Sequence, residues 1–237
     1  MARPSYSIEH WTTALAEPNY QSQPSQTVTV NDRAATRQAI ITAVRRENMN
    51  FIERSDWAAH KNKSQNMVND WNYTKVAIHH AGRSFSCGPA ALQMQEIQNM
   101  QMNAKKEPKD DFSYHYGIDC FGSIYEGRDI RFKGEHLNRY NTGAIGIVML
   151  ENLTDPGEGS GLVSYLTKVL SDKPIVTKTQ AKSVENLIFI LKIFFKITTL
   201  GGHREFPFQQ SEGKICPGNV GISLVRKLRE ATGLSAP

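Results

Sequence analysis

Four side chains that bind transition metals well stand in two distant stretches of this chain. The stretch "VAIHH" ends in His79 and His80, and residues 201–218, "GGHREFPFQQSEGKICPG", contain His203 and Cys216. A catalytic zinc ion takes three imidazole, thiolate or carboxylate ligands and leaves its fourth position to water. One histidine of the pair would complete such a set with His203 and Cys216. The spacing is unlike that of a local zinc finger, and both "GGHRE" and "CPG" are also common in polar turns, so spacing alone leaves the two interpretations open.

The elements that would position these side chains alternate between strands and helices. "KVAIHH" and "GAIGIVML" are short apolar runs typical of buried strands, and "SYHYGIDCFGSIYEGR" has the alternation and the glycine-containing turn of a hairpin. "PAALQMQEIQNMQMNAKK" is a helix candidate. This alternation predicts an α/β fold, with a central mixed β-sheet flanked by helices.

The most apolar window, "LIFILKIFFKI" at 187–197, indicates a buried helix rather than a membrane span. It is shorter than the ~20 residues that cross a bilayer and it carries Lys192 and Lys196. Apolar residues recur at helical spacing through this window, and Thr177 or Thr179 can cap the helix start.

The chain is predicted to form one main domain, residues 51–237, after an N-terminal extension, residues 1–50. The extension combines an irregular arm with a short helix within 31–48, capped by Asn31 or Asp32. A long connection at 153–180 begins with turn formers and is either functional or a plain surface insertion.

Composition narrows the classes of partner. The chain has 237 residues, 39% of them hydrophobic, and a net charge of +5, which favours an anionic partner such as an acidic wall polymer. The sequence shows no stripe of basic and aromatic residues of the kind that binds nucleic acid, so we expect no nucleic-acid partner. The first residues do not read as a secretory signal. Three cysteines are too few for a disulfide framework, so we expect Cys87 and Cys120 to be small buried side chains.

Six segments occur in an order that carries a family resemblance: "FIERSDWAA", "VAIHH", "YHYGID", "SIYEGR", "GEHLNRYNTGAIGI" and "GGHRE…CPG". From about Phe51 to the C-terminal helix, the chain resembles the type 2 class of zinc-dependent N-acetylmuramoyl-L-alanine amidases. This class includes phage lysozyme-type amidases and peptidoglycan recognition proteins. The resemblance implies a single amidase domain with one Zn²⁺ per chain.

Position by position, the resemblance assigns the zinc ligands to His79, His203 and Cys216. It assigns the catalytic roles to Tyr114 and Lys214, with Tyr114 positioning the attacking water and Lys214 presenting its ammonium group to the oxyanion. A related branch of the family uses a glutamate in the strand "IGIVML", where this chain has Val148. Glu126, Glu205 and Glu212 are then the remaining candidate proton carriers.

The substrate-binding residues implied by the resemblance are His136 and Asn141, with His80 lining the groove, supporting the ligands or lying in the core. Gln101 replaces a groove histidine of the recognition proteins. The paired cysteines of animal members are not reproduced, because Cys87 stands alone near the ligand strand. A disulfide-stabilised animal protein is therefore disfavoured.

The implied function is hydrolysis of the amide between N-acetylmuramic acid and the L-alanine of the stem peptide. The alternative is a module that binds peptidoglycan without cutting it, although such members typically lose the cysteine ligand.

Three biological settings are open: the protein is expected to be a phage endolysin, an injected antibacterial toxin or a wall-recycling enzyme. We expect synthesis in the cytoplasm and action on the wall in the periplasm, after lysis or non-classical delivery. Partners would be peptidoglycan or muropeptides, and a secretion carrier or immunity protein could dock on 1–50 or 153–180.

Overall fold

The computed structural model describes residues 33–63, 65–82, 87–158 and 174–237. Its centre is a six-stranded sheet in the order β1–β4–β3–β5–β2–β6, in which only the β3–β4 pair is antiparallel. The strands are β1 (Phe51–Ile52), β2 (Lys75–His80), β3 (Tyr116–Ile118), β4 (Ile124–Glu126), β5 (Ala144–Met149) and β6 (Thr199–Gly202). The predicted mixed α/β sheet and the hairpin are confirmed.

In the described ranges, four α-helices flank the sheet: α1 (Arg33–Arg46), α2 (Ala90–Met102), α3 (Lys178–Phe194) and α4 (Gly218–Thr232). Helix α3 begins as predicted, because the Thr177 hydroxyl oxygen accepts a hydrogen bond from the Gln180 N–H at 3.0 Å. Leu187, Ile188 and Leu191 of this helix are buried, which confirms a core helix. No helix in the described ranges is long and apolar enough to cross a membrane.

The two faces of β5 belong to two apolar clusters. Ile147 packs in the cluster that helices α1, α3 and α4 cover, whereas Val148 packs with Met94 of α2 and with Trp57. Neighbouring residues of a strand point to opposite faces. Since His79 is the register partner of Val148 on β2, the His79 side chain lies on the α2 face. Burial of both faces explains why β2 and β5 are nearly continuous apolar runs.

Helix α1 is part of the core although it lies within the predicted N-terminal extension. Ile40, Ile41 and Val44 are buried in the same cluster as α3. Arg37 is ion-paired to Glu126, whose Oε2 lies 2.6 Å from the Arg37 Nη2. The predicted cap residues of α1 lie outside the described residues, as do residues 159–173 of the 153–180 connection.

Cys120 is buried as expected, but the expectation for Cys87 was wrong, because Cys87 is exposed and forms a disulfide with Cys120. Cys87 lies in the segment that follows β2, and Cys120 lies in the turn that follows β3. Both strands run parallel to β5, which separates them, so their carboxyl ends meet at one edge of the sheet. The pairing follows from this topology, which spacing along the chain does not reveal.

Candidate metal centre

Three predicted ligands from separate parts of the chain meet at the carboxyl edge of the sheet. His79 lies near the end of β2, His203 directly follows β6, and Cys216 precedes α4. The nitrogen or sulfur atoms that they offer all lie within 4.8 Å of one another. The Cys216 Sγ is 3.7 Å from the His79 Nδ1, and the rings of His79 and His203 have centroids 4.5 Å apart. Parallel pairing of β2 with β6 explains the convergence, because it brings the ends of both strands together.

Arg204 connects the segment that carries His203 to the segment that carries Cys216. Its backbone N–H donates to the Cys216 carbonyl at 3.0 Å. Its guanidinium group lies 2.6 Å from the Glu158 carboxylate and 2.7 Å from the Asn219 side-chain oxygen at the start of α4. The hydrogen bonds of Arg204 therefore hold the two ends of the 203–216 loop together.

A chain of hydrogen bonds fixes the orientation of His79. The His136 Nε2 is 3.2 Å from the Ala144 carbonyl oxygen, so this nitrogen carries the proton and donates it. The His136 Nδ1 is then an acceptor, and it receives the His79 Nε2–H at 3.1 Å. His79 consequently presents the lone pair of its Nδ1 toward Cys216. Such outer hydrogen bonds set the tautomer of a ligating histidine and raise its basicity.

Gln209 fixes the orientation of the His203 ring. Its buried Oε1 accepts from the His203 Nε2–H at 3.0 Å and from the Asn138 N–H at 3.1 Å. Its Nε2 donates to the carbonyl oxygens of Asn138 and Pro207. The amide is thereby locked in one orientation, and Nδ1 of His203 is the nitrogen positioned to hold a metal.

The protonation of His79 and Cys216 suits a divalent cation. Burial, followed by the charge of His203, lowers the pKa of His79 well below its usual value, so the imidazole is neutral near pH 7. Burial raises the pKa of the Cys216 thiol to about 12, against the opposing effects of a backbone hydrogen bond from His80 and of the charges of Arg204 and Lys214. A bound cation favours the thiolate strongly. Two imidazoles, that of His79 held neutral by burial, and one convergent thiol therefore fit zinc.

The two predicted catalytic residues lie beside the ligands in different environments. The Tyr114 ring centroid is 4.8 Å from that of His79, and burial, followed by the charge of Cys216, raises the pKa of its phenol. Tyr114 therefore stays protonated near pH 7 and acts as a hydrogen-bond donor. Lys214 is exposed two residues before Cys216, close enough for its charge to act on that thiol.

The residues predicted to bind substrate, His136, Asn141 and His80, make hydrogen bonds within the protein and differ in burial. His136 and the Asn141 side chain stabilise the architecture, because the Asn141 Oδ1 accepts from the N–H groups of His136 and Leu137 at 2.8 and 2.7 Å. The His136 ring is buried against His79. His80 is half-buried, and its Nδ1 accepts from the Leu153 N–H at 3.0 Å.

Two of the three other carboxylates considered from the sequence, those of Glu126 and Glu205, are held in ion pairs. Glu126 is buried against Arg37, and the Glu205 carboxylate lies 2.9 Å from Arg229 while accepting from the Gly202 N–H. The Glu212 side chain lies outside the description. Val148 stands directly beside His79 on the neighbouring strand, so the position of the family's alternative glutamate is apolar and buried.

The sequence reasoning missed Gln209 and the two glycines that accommodate His136. A Cβ atom on either Gly134 or Gly146 would lie 2.5 Å from the His136 Cδ2, so both positions need glycine if the ring is to remain there. Gly146 in "GAIGIV" was a visible signal, because a glycine inside a strand often marks a close approach by another group.

Comparison with known proteins places this geometry in a family. A family model described as N-acetylmuramoyl-L-alanine amidase matches residues 69–219, which is more than half of the chain. The chain is also 31% identical to peptidoglycan-recognition protein LB of Drosophila melanogaster over 102 residues, 42% of this chain and 43% of that protein. It thus spans less than half of that relative's length.

Two solved structures show the same fold. The endolysin N-acetylmuramoyl-L-alanine amidase LysCS from Clostridium intestinale superposes with a TM-score of 0.55 at 19% identity, over 78% of this chain and 96% of that one. A mutant of Drosophila PGRP-LB in complex with tracheal cytotoxin gives 0.52 at 24% identity, over 73% and 90%. At these identities the likeness establishes the fold.

Proposed function

Because the chain belongs to the N-acetylmuramoyl-L-alanine amidase family, we propose that it is a zinc-dependent peptidoglycan hydrolase. It would cleave the amide between N-acetylmuramic acid and the L-alanine of the stem peptide. The observation that carries this proposal is the convergence of His79, His203 and Cys216, whose ligand atoms lie within 4.8 Å of one another. The names of its relatives, and the PGRP-LB complex with tracheal cytotoxin, support a peptidoglycan-derived ligand.

Each residue of the site has a role in this reaction. A zinc ion, when bound, supplies a Lewis acid that makes water nucleophilic near neutral pH. His79, His203 and Cys216 would hold it. The protonated phenol of Tyr114 can donate a hydrogen bond to the attacking water or to the developing oxyanion, and the Lys214 ammonium can stabilise the same negative charge from the rim.

Product analysis tests the reaction. Purified protein loaded with zinc is incubated with peptidoglycan, and released material is examined by mass spectrometry for stem peptides with a free L-alanine amino group. We expect such peptides, and we expect none after zinc is removed with a chelator. If the fully loaded protein binds peptidoglycan and releases no stem peptide, the binding-only alternative is correct.

Two variants separate metal binding from catalysis. Cys216→Ser should lose zinc because it removes the thiolate ligand, whereas Tyr114→Phe should keep zinc and lose one to three orders of magnitude in turnover, since it removes a single donor. Metal content is measured alongside activity. Full zinc content in Cys216→Ser would contradict the ligand assignment.

We further propose that the protein is bacteriolytic and acts on the wall from the periplasm. The Cys87–Cys120 disulfide supports this setting, because disulfides persist in oxidising compartments such as the bacterial periplasm. The net charge of +5 suits an anionic wall. Expression with an added secretory signal should lyse a Gram-negative host, whereas cytoplasmic expression and secreted Tyr114→Phe should not. Equal lysis from both compartments would refute this setting.

A further inference from the structure

A second group of metal-binding side chains lies at the carboxyl edge of the sheet, outside the centre described above. Cys87 lies in the segment after β2, Cys120 in the turn after β3 and Glu151 just beyond β5. Their sulfur and carboxylate atoms lie within 4.8 Å of one another. The two sulfurs form a disulfide, with the Cα atoms 5.4 Å apart. We refer to the three residues as the Cys87–Cys120–Glu151 cluster.

Glu151 is the unexplained member of this cluster. It is only 7% exposed, and its Oε1 contacts the Cys120 Sγ and lies 3.4 Å from the Cys87 Sγ. Within the ranges that the structure describes, no cation and no N–H or O–H group contacts this carboxylate. A disulfide sulfur has no proton to donate, so neither Cys87 nor Cys120 stabilises the Glu151 carboxylate by a hydrogen bond while the disulfide is intact. Burial accordingly raises the pKa of Glu151.

Reduction of the disulfide would convert the cluster into a set of metal-binding donors. Two thiolates and one carboxylate form a donor set for zinc and other thiophilic divalent cations. Sulfurs bound to one tetrahedral zinc lie about 3.8 Å apart at Zn–S bonds of about 2.3 Å. Side-chain rotation at the observed Cα separation of 5.4 Å can provide this spacing. Cys87 is exposed, so a cation can reach the cluster from solvent.

We propose that the Cys87–Cys120–Glu151 cluster is a second metal site. It binds a thiophilic divalent cation such as Zn²⁺ in the reduced protein, and the disulfide replaces that cation in the oxidised protein. When a low-molecular-weight disulfide oxidises the loaded site, each thiolate gives up one electron and the S–S bond forms. The cation leaves to solvent, and the oxidant takes two electrons and two solvent protons to become two thiols.

Cobalt binding to the full chain tests this site in the Cys216→Ser background, which removes the thiolate of the first centre. A thiolate-to-cobalt charge-transfer band then reports only Cys87 and Cys120. Reduced Cys216→Ser should show the band and bind one such Co²⁺ per chain, and the oxidised form should show none. Adding Cys120→Ser should abolish the band. Adding Glu151→Gln, which keeps both thiols and the side-chain volume, should weaken cobalt binding at least about tenfold, because it removes a ligand.

Absence of the band in reduced, folded Cys216→Ser would overturn the proposal, and so would unchanged affinity in the Glu151→Gln form. Far-UV circular dichroism checks folding. Zinc stoichiometry of the unaltered chain provides an independent measurement should Cys216→Ser fail to fold. Two zinc ions per reduced chain and one per oxidised chain are expected, and one in both states contradicts the second site. These measurements use no peptidoglycan, so they are independent of the amidase proposal.

Discussion

Replacing His136 should weaken zinc binding although His136 is not a ligand. Its Nδ1 accepts the His79 Nε2–H at 3.1 Å, and both residues are buried. In His136→Phe a flat ring would remain between Gly134 and Gly146, but His79 would lose its acceptor. His79 could then turn or change tautomer, so that its Nδ1 would no longer be held toward the metal.

The expected magnitude follows from this single hydrogen bond. A buried donor left without a partner costs about 1–3 kcal/mol, and loss of an outer hydrogen bond to a ligating histidine lowers metal affinity about 10–100-fold. We therefore expect His136→Phe to lower zinc affinity by about that factor, with the apoprotein destabilised by about 1–3 kcal/mol. His136→Gln, whose side-chain oxygen can accept from His79, should recover most of the affinity.

Zinc affinity is measured by competition with a chromophoric chelator, and apoprotein stability by urea unfolding. Affinity of His136→Phe within twofold of the unaltered chain would refute the relay from Ala144 through His136 to His79. Retained affinity in His136→Phe together with a loss in His136→Gln would show that ring packing, not the hydrogen bond, is what the metal centre needs.

Three further predictions concern a glycine beside His136, the buried His115 and the packing of α1 in the main core. Gly146→Ala should lower zinc affinity in the same chelator competition, because its Cβ would lie 2.5 Å from the His136 ring, and an affinity equal to that of the unaltered chain would contradict this. Burial lowers the pKa of His115 to about 4. Unfolded histidine has a pKa of about 6.5, so on acidification the unfolded chain takes up this proton first; the contribution is fully present above pH 6.5 and is lost as the pH falls toward 4. Urea unfolding should show about 2 kcal/mol lost from this group between pH 7 and pH 5, and His115→Gln should reduce that loss. Ile40→Ala should destabilise the protein by about 2–5 kcal/mol in the same assay, since Ile40 of α1 is buried in the main core.

The sequence was sufficient to predict the elements whose patterns are local. Strand β2 and helix α3 follow from apolar runs and a capping threonine, which depend on near neighbours in the chain. Strand β6 was missed because "TLGG" is short and contains two glycines, which are weak strand formers. Its identity as a strand depends on pairing with β2 and on the apolar surfaces of α4, both distant in sequence.

The metal site shows the same division between local and non-local information. The residue types of the candidate ligands could be recognised in "VAIHH" and "GGHRE…CPG". Because side chains alternate along a strand, His79 and His80 had to point to opposite faces of the sheet. The face that carries the site was decided by which helices cover which side of β5, since this places Val148 and His79 with α2. The proton positions on His79 and His203 depend on Ala144, His136 and Gln209, residues that reach the centre from other elements. A candidate ligand set can therefore be inferred from residue types, whereas the hydrogen bonds that orient each candidate histidine require the folded backbone.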